Sequence, residues 1–198
     1  FVFCFIGRLV KSKGIKELVQ AYEYLYSRGH FSRLLILGTD EGEADTVDRA
    51  TMDKINYHPG IAAVGFQQDI RPFLAVCNVL VLASYREGFP NVVMQAGAMG
   101  VPAIVSNISG CNEIILHGKN GLVVPPRNVT ALAVAMQQMM RNKQEYRSMA
   151  DCSREMIGSR FEQHFVWQKL KEQYTMLEGA ETQLSPLVPS GGLQNIPS

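Results

Sequence analysis

Short apolar segments bounded by glycine, proline and polar residues recur along the chain, and amphipathic segments separate them. Six apolar segments stand out, at 1–6, 34–38, 61–65, 79–83, 102–105 and 121–124. Each is continuously apolar instead of alternating, which is typical of strands covered on both faces, as in parallel sheets. The pattern therefore predicts about six strands in one mostly parallel sheet.

The segments between these strands have helical periodicity. The first helix is predicted to begin near Ser12, a suitable N-cap, and the helix after the last strand near Asn128. Two more helices are predicted to follow it. Because strand and helix alternate, we expect right-handed crossovers and a doubly wound α/β fold, with ligands at the carboxyl ends of the strands.

Composition narrows the class of protein. The chain has 198 residues, 46% of them hydrophobic and 19% charged, which is enough apolar surface for one folded domain and excludes disorder throughout. A formal net charge of +1 gives no field that would attract a polyanion, so we expect no nucleic-acid partner. The apolar segments are far shorter than the roughly 20 residues of a membrane helix, so no transmembrane segment is expected.

The cysteines bear on the cellular location of the protein, and the two ends of the chain bear on its domain organisation. Four cysteines stand far apart without a CxxC pair, which favours reduced thiols and a cytoplasmic location. The chain opens directly on a core strand, so we expect an N-terminal domain to be missing. Residues 179–198 lack periodicity and are predicted to be a disordered tail.

The loop after the first strand is the first candidate site. Gly7 permits a turn where a side chain would crowd a ligand, and Arg8 and Lys13 flank the start of the next helix. Two cations beside the N–H groups of a helix N-terminus suit a diphosphate. A solvated loop with ordinary surface cations is the alternative.

The segment after the fourth strand is a second candidate. Pro90 suits the first position of a helix, Glu87 precedes that helix, and Gln95 lies inside it, so both side chains could touch one elongated ligand. The small residues over 96–100 indicate a helix pressed closely against the sheet. A thin buried helix with an incidental carboxylate is the alternative.

The segment after the fifth strand gives a weaker indication. Gly110 permits close approach of the backbone, and Cys111 is either a nucleophile or, as we favour, a packing thiol, because no base is identifiably paired with it. No GxGxxG, Walker A loop, Asp-x-Asp pair or metal-ligand spacing of histidines is present, so no cofactor and no metal site are expected.

Taken together, these segments resemble the C-terminal half of a GT-B glycosyltransferase of family 4. The resemblance covers residues 1 to about 178. The matching motifs follow the family's order and are Gly7-Arg8, Lys13-Gly14, Glu87-Gly88-Phe89-Pro90-Asn91, Gly100-Val101-Pro102, Gly110 to Glu113 and 120–126.

The resemblance implies a nucleotide-sugar donor of the UDP or GDP type, bound mainly by a Rossmann-like half. Arg8 and Lys13 would then hold the diphosphate, and Glu87 would accept hydrogen bonds from the donor sugar. The remaining donor contacts that it implies come from backbone N–H groups around Gly88, Phe89, Asn91 and Val92 for sugar and phosphate, and from the loops near Gly38, Thr39, Phe66 and Gln67 for the base.

The activity implied is metal-independent transfer of a hexose with retention at the anomeric carbon, in synthesis of surface polysaccharide. The acceptor, a saccharide or lipid-linked saccharide, would bind through the missing domain, either in the cytoplasm or at the inner face of the membrane. The chain alone would then transfer little. A noncatalytic nucleotide-sugar-binding module and another GT-B enzyme, such as a sugar-nucleotide epimerase, are the alternatives.

The sequence departs from the family at one position. The family has two glutamates eight positions apart, and the second, which binds the ribose diol, is here Gln95. A carboxamide has one acceptor oxygen where a carboxylate has two, so the substitution is expected to weaken donor binding by about 1 to 2 kcal/mol, roughly tenfold.

Overall fold

The six apolar segments form one sheet in the computed structural model, which describes residues 1–40, 42, 45–161 and 163–182. The strands are β1 (Val2–Ile6), β2 (Arg33–Leu37), β3 (Ile61–Ala63), β4 (Val79–Leu82), β5 (Ala103–Ser106) and β6 (Gly121–Val124). Their order in the sheet is β3-β2-β1-β4-β5-β6, and every neighbouring pair is parallel. The predicted doubly wound, parallel six-stranded fold is confirmed.

Helices connect the strands and follow the last one. They are α1 (Ile15–Tyr26), α2 (Arg49–Tyr57), α3 (Arg71–Val76), α4 (Asn91–Ala98), α5 (Cys111–Ile114), α6 (Val129–Arg141), α7 (Lys143–Phe161) and α8 (Gln163–Thr182). The two helices predicted after α6 are therefore present as α7 and α8.

One predicted helix start is confirmed and two are wrong. The Asn128 side chain accepts a hydrogen bond from the amide of Ala131 and caps α6. Ser12, in contrast, lies inside a short 3-10 turn, and α1 begins only after Gly14, whose left-handed φ of 66° reverses the chain. Pro90 is the residue before α4 and has an extended ψ of 100°, so the helix begins at Asn91.

Burial is deepest at the centre of the sheet and is lost at one edge. Every residue of β4 and β5 is buried, and Phe3 and Phe5 of β1 are inaccessible. The strand β3 differs, because Ala62 and Ala63 are exposed and Ile61 is only partly covered. The expectation that all six strands are covered on both faces was therefore wrong for β3, which borders solvent as an edge strand.

The small residues of α4 serve a different contact from the one predicted. A Cβ atom on Gly97 would lie 2.5 Å from Cγ1 of Ile157 in α7, so this glycine lets two helices approach each other. The neighbouring Ala96 is fully buried. Gly97 is therefore explained by helix-to-helix packing, whereas the sequence analysis assigned it to packing on the sheet.

The chain divides into two compact units, Phe1–Arg160 and the part from Phe161 onward. The first unit contains the whole sheet. In the second, α8 exposes the side chains of Trp167, Leu170 and Tyr174. This helix includes 179–182, the start of the predicted tail, and the rest of that tail lies outside the described residues. None of the helices that the structure describes has both the length and the apolarity to span a membrane.

Candidate active site

The strand order reverses between β1 and β4, and the candidate residues gather where this happens. In doubly wound sheets the crossovers on either side of such a reversal open a crevice at the carboxyl ends of the strands. The loop after β1 carries Gly7, Arg8 and Lys13, and the loop after β4 carries Glu87. Topology therefore brings together residues that are about 75 positions apart in sequence.

A cavity of about 360 Å³, which we name the switch-point cavity, opens at this position. Eight of the predicted site residues line it, namely Gly7, Arg8, Gly38, Thr39, Phe66, Gln67, Val92 and Gln95. They come from the loops after β1, β2 and β3 and from α4. The cavity is completed by four residues that the sequence analysis did not select, Ile6, Leu37, Gln68 and Ile70.

Backbone contacts hold the floor of this cavity. The amide of Gly7 donates to Leu37 O at 2.9 Å, and the amide of Gly38 donates to Gly65 O at 2.9 Å, which ties the ends of three strands together. Gly38 has a φ of 145°, and a Cβ atom there would collide with the carbonyl of Gly7. Only glycine fits at this position, so the cavity floor is fixed by main chain and not by side-chain packing.

Lys13 and Glu87 form an ion pair at the point where the loops after β1 and β4 meet. Lys13 Nζ lies 2.6 Å from Glu87 Oε1, and the two side chains are 23% and 10% exposed. The hydroxyl of Ser84, a fully buried residue, donates to the same Oε1 at 2.6 Å. Partial burial makes such a charge-assisted pair stronger than a surface ion pair, so Glu87 is held in one orientation.

Ser84 was missed by the sequence analysis as a site residue. The sequence nevertheless marks Ser84 as a candidate, since it is a polar residue two positions after the buried strand β4 and three before Glu87. Among the described residues, no donor reaches the second carboxylate oxygen of Glu87, so that oxygen is available to accept from a ligand.

The loop after β5 packs closely against the loop after β4, which carries Glu87. A Cβ atom on Gly110, whose φ is 81°, would collide with the carbonyl of Gly88, so these two glycines pass each other at main-chain distance. Cys111 follows, and burial, with a smaller contribution from the Glu87 carboxylate, raises the pKa of its thiol to about 12. The thiol is therefore neutral near pH 7, as the packing interpretation requires.

The first turn of α4 faces the switch-point cavity through Val92. Amides in a first turn have no acceptor within their own helix, so those of Asn91 and Val92 are suited to a negatively charged group. Of the predicted site residues, Lys13, Glu87, Gly88, Phe89, Asn91 and Gly110 do not line this cavity. Asn91 is the first residue of α4, and the others lie in the segments that connect strands to helices.

Chemically, the switch-point cavity offers a guanidinium and a helix N-terminus on a concave, partly apolar surface, and the adjoining loops offer an oriented carboxylate. The first two favour an anion and the third favours hydroxyl groups. No group of three His, Cys, Asp or Glu side chains in the described part of the chain has metal-binding geometry. The groups present therefore suit a ligand with both an anionic part and a hydroxylated part.

Comparison with known proteins agrees with this geometry. The family model of group 1 glycosyl transferases matches residues 1–142. The capsular polysaccharide biosynthesis glycosyltransferase CapM of Staphylococcus aureus is 29% identical over 182 residues, which is 91% of this chain and 48% of that protein. An N,N'-diacetylbacillosaminyl-diphospho-undecaprenol alpha-1,3-N-acetylgalactosaminyltransferase of Campylobacter jejuni is 30% identical over 70% of this chain and 35% of that protein.

Solved structures share the fold. The Anabaena protein Alr3699/HepE, crystallised with UDP, superposes with a TM-score of 0.80 at 23% identity, covering 89% of this chain and 49% of that one. The chain thus spans about half the length of CapM and of HepE.

Proposed function

Because the chain belongs to the group 1 glycosyltransferases, we propose that it is the donor-binding half of a retaining, metal-independent enzyme that transfers a hexose from a UDP or GDP sugar. Relatives that act in polysaccharide biosynthesis make a surface polysaccharide the proposed product. The HepE complex makes UDP the first nucleotide to test.

One observation carries this proposal, namely that Arg8 and the first turn of α4 line one cavity where the strand order reverses, and that the loops after β1 and β4 next to it are joined by the Lys13–Glu87 pair. In the proposed complex, the diphosphate lies against Arg8 and the amides of α4. The donor sugar lies toward Glu87, whose second carboxylate oxygen accepts from its hydroxyls. The nucleoside extends toward Phe66 along the switch-point cavity.

The proposed catalytic contribution is electrostatic. Negative charge grows on the diphosphate as the bond to the anomeric carbon breaks. In this proposal Arg8 and the α4 amides stabilise that charge, and the amides, fixed in the first turn of a helix, give the usual advantage of preorganised dipoles. Lys13 contributes to the same field and also fixes the orientation of Glu87.

The acceptor is proposed to be a saccharide or lipid-linked saccharide that binds partly through a second domain. The chain covers about half of its relatives, and GT-B enzymes close their site between two halves. We therefore expect the chain by itself to bind donor and to transfer little.

Calorimetric titration with UDP and with GDP tests the donor site. Arg8→Ala and Lys13→Ala should each weaken binding by about tenfold or more, because each removes a charge-assisted hydrogen bond worth about 1.5 to 3 kcal/mol. Lys119→Ala is the matched control, since it removes an exposed cation outside the site. Unchanged affinity in both site variants would contradict the proposal.

A noncatalytic nucleotide-sugar-binding module is the second candidate, and Gln95 in the wall of the switch-point cavity is the observation that favours it. Joining the chain to the N-terminal half of a relative separates the two. A working enzyme releases nucleoside diphosphate when donor and acceptor are supplied together, whereas a binding module holds the donor without releasing it.

A further inference from the structure

A second cavity lies at the same edge of the sheet and has a different character. It has a volume of about 620 Å³ and is lined by Lys11, Ser12, Asp45, Tyr85, Arg86 and Arg127. We name it the cationic cavity, because three cations and one carboxylate line it among the residues that the structure describes. Neither the donor proposal above nor the motifs of the sequence analysis use it.

Two strips of chain, 11–13 in the loop after β1 and 85–87 in the loop after β4, place the cationic cavity beside the donor site. The amide of Tyr85 donates to the carbonyl of Ser12 at 2.8 Å, which joins the loop after β4 to the loop after β1. Each strip supplies one member of the Lys13–Glu87 pair, and the residues just before that member line the cationic cavity. Along the chain after β4, Glu87 lies between Arg86, which lines the cationic cavity, and Val92, which lines the switch-point cavity.

The three cations are not neutralised by the described part of the chain. None of Lys11, Arg86 and Arg127 has an ion pair within 4.0 Å there. The Asp45 carboxylate already has a hydrogen-bond donor, because its Oδ2 accepts from the amide of Ser12 at 2.9 Å. Hydrogen bonds from Ser12, and to a smaller degree the charges of Lys11 and Arg86, lower the pKa of Asp45.

One of the cations is held in place. The guanidinium of Arg127 lies 4.4 Å from the centre of the Tyr85 ring, and Arg127 has a left-handed φ of 58°, which is uncommon outside glycine. Tyr85 is itself fixed, since its hydroxyl donates to Glu17 Oε1 at 2.7 Å. Burial, followed by the Glu17 carboxylate, raises the pKa of Tyr85 to about 12, so the ring stays neutral under its cation.

We infer that the cationic cavity binds the phosphate or diphosphate group of the acceptor. The inference rests on the proposed function, since only a transferase has an acceptor. Within the described part of the chain, three cations against one carboxylate leave an excess of two positive charges, which matches a phosphate or diphosphate better than a single carboxylate. Arginine side chains also suit phosphate oxygens geometrically, through paired N–H donors. A diphosphate-bearing acceptor appears in the name of the Campylobacter relative, which agrees with this chemistry.

The consequence is two anion subsites separated by one carboxylate. The donor diphosphate occupies the switch-point cavity, the acceptor phosphate occupies the cationic cavity, and Glu87 stands between them. The acceptor phosphate would hold the acceptor at a fixed distance from the donor sugar, so Arg86 and Arg127 are positioning residues for the acceptor.

The test uses the chain saturated with UDP and follows a second titration by calorimetry. The first probe is inorganic pyrophosphate, and the second pair of probes is glucose 1-phosphate and glucose. We expect pyrophosphate and glucose 1-phosphate to bind at UDP saturation and glucose not to bind. Arg86→Ala and Arg127→Ala should each weaken this second binding by about tenfold and leave UDP affinity unchanged. Lys119→Ala should change neither.

Three outcomes would overturn the inference. The first is no saturable binding of either phosphate compound in the presence of UDP. The second is binding of pyrophosphate without glucose 1-phosphate, which would show a free-anion site only. The third is a loss of UDP affinity in Arg86→Ala as large as in Arg8→Ala, which would assign the cations to the donor. Failure of the donor proposal is distinguishable, because it appears in the UDP titration of Arg8→Ala alone.

Discussion

The switch-point cavity and the cationic cavity lie at the same sheet edge but are built in different ways. The first has a floor of main chain, in which Gly38 passes the carbonyl of Gly7 and backbone hydrogen bonds join the strand ends. The second has walls of charged side chains on exposed loops. Main-chain contacts at glycines fix the shape of the first cavity. The charged side chains of the second fix its charge and leave its shape adjustable.

Because the floor of the switch-point cavity is main chain, we predict that adding even one methyl group to a glycine there destabilises the fold. Gly38→Ala adds one methyl group at a φ that favours glycine and against a backbone carbonyl, so the free energy of unfolding should fall by about 2 to 3 kcal/mol. Denaturant unfolding measures this. Gly65→Ala is the matched control, because it has a left-handed φ but open space around the added methyl group. Equal losses in both variants would mean that backbone strain, and not the collision, is responsible.

A second prediction concerns the wall of the switch-point cavity. Gln95→Glu restores the carboxylate that the family has at this position and should strengthen UDP binding by about tenfold, because a carboxylate can accept from both ribose hydroxyls. The calorimetric control is 2'-deoxy-UDP, with which the gain should largely disappear. Gln67→Glu, in the same cavity, controls for added charge alone. An equal gain with the deoxy ligand would place Gln95 away from the ribose.

The smallest predicted effect is on the free energy of unfolding. It is tested by removing a buried hydroxyl group near one cavity and an exposed cation at the other. Ser84→Ala removes the hydroxyl that donates to Glu87 and should reduce the free energy of unfolding by about 1 kcal/mol. Lys11→Ala, at the cationic cavity, should change it by less than about 0.5 kcal/mol, because an exposed cation without an ion pair contributes little to folding. Thermal denaturation of both variants measures the difference. A larger loss for Lys11→Ala would show that the cationic cavity is structural.

Much of the fold and part of the candidate site could be predicted from the sequence. The six strands were visible because buried parallel strands are continuously apolar, and Asn128 was visible because a capping side chain acts on its own helix. The starts of α1 and α4 were not predicted correctly. In both cases the deciding residue, Gly14 or Pro90, takes a backbone conformation that depends on the neighbouring loop. The local pattern around Ser12 contains no information about that loop.

The sequence by itself determined the order of strands and helices along the chain and the family, and it made Arg8, Lys13 and Glu87 the candidates for the site, because these depend on local periodicity and on short motifs. Only the tertiary structure decided which side chains meet. It joined Lys13 to Glu87 and Ser84, and it gathered Lys11, Arg86 and Arg127 around one cavity from three separate loops. The physical reason is that charge and contact act through space, and parallel crossovers bring together segments that are far apart along the chain.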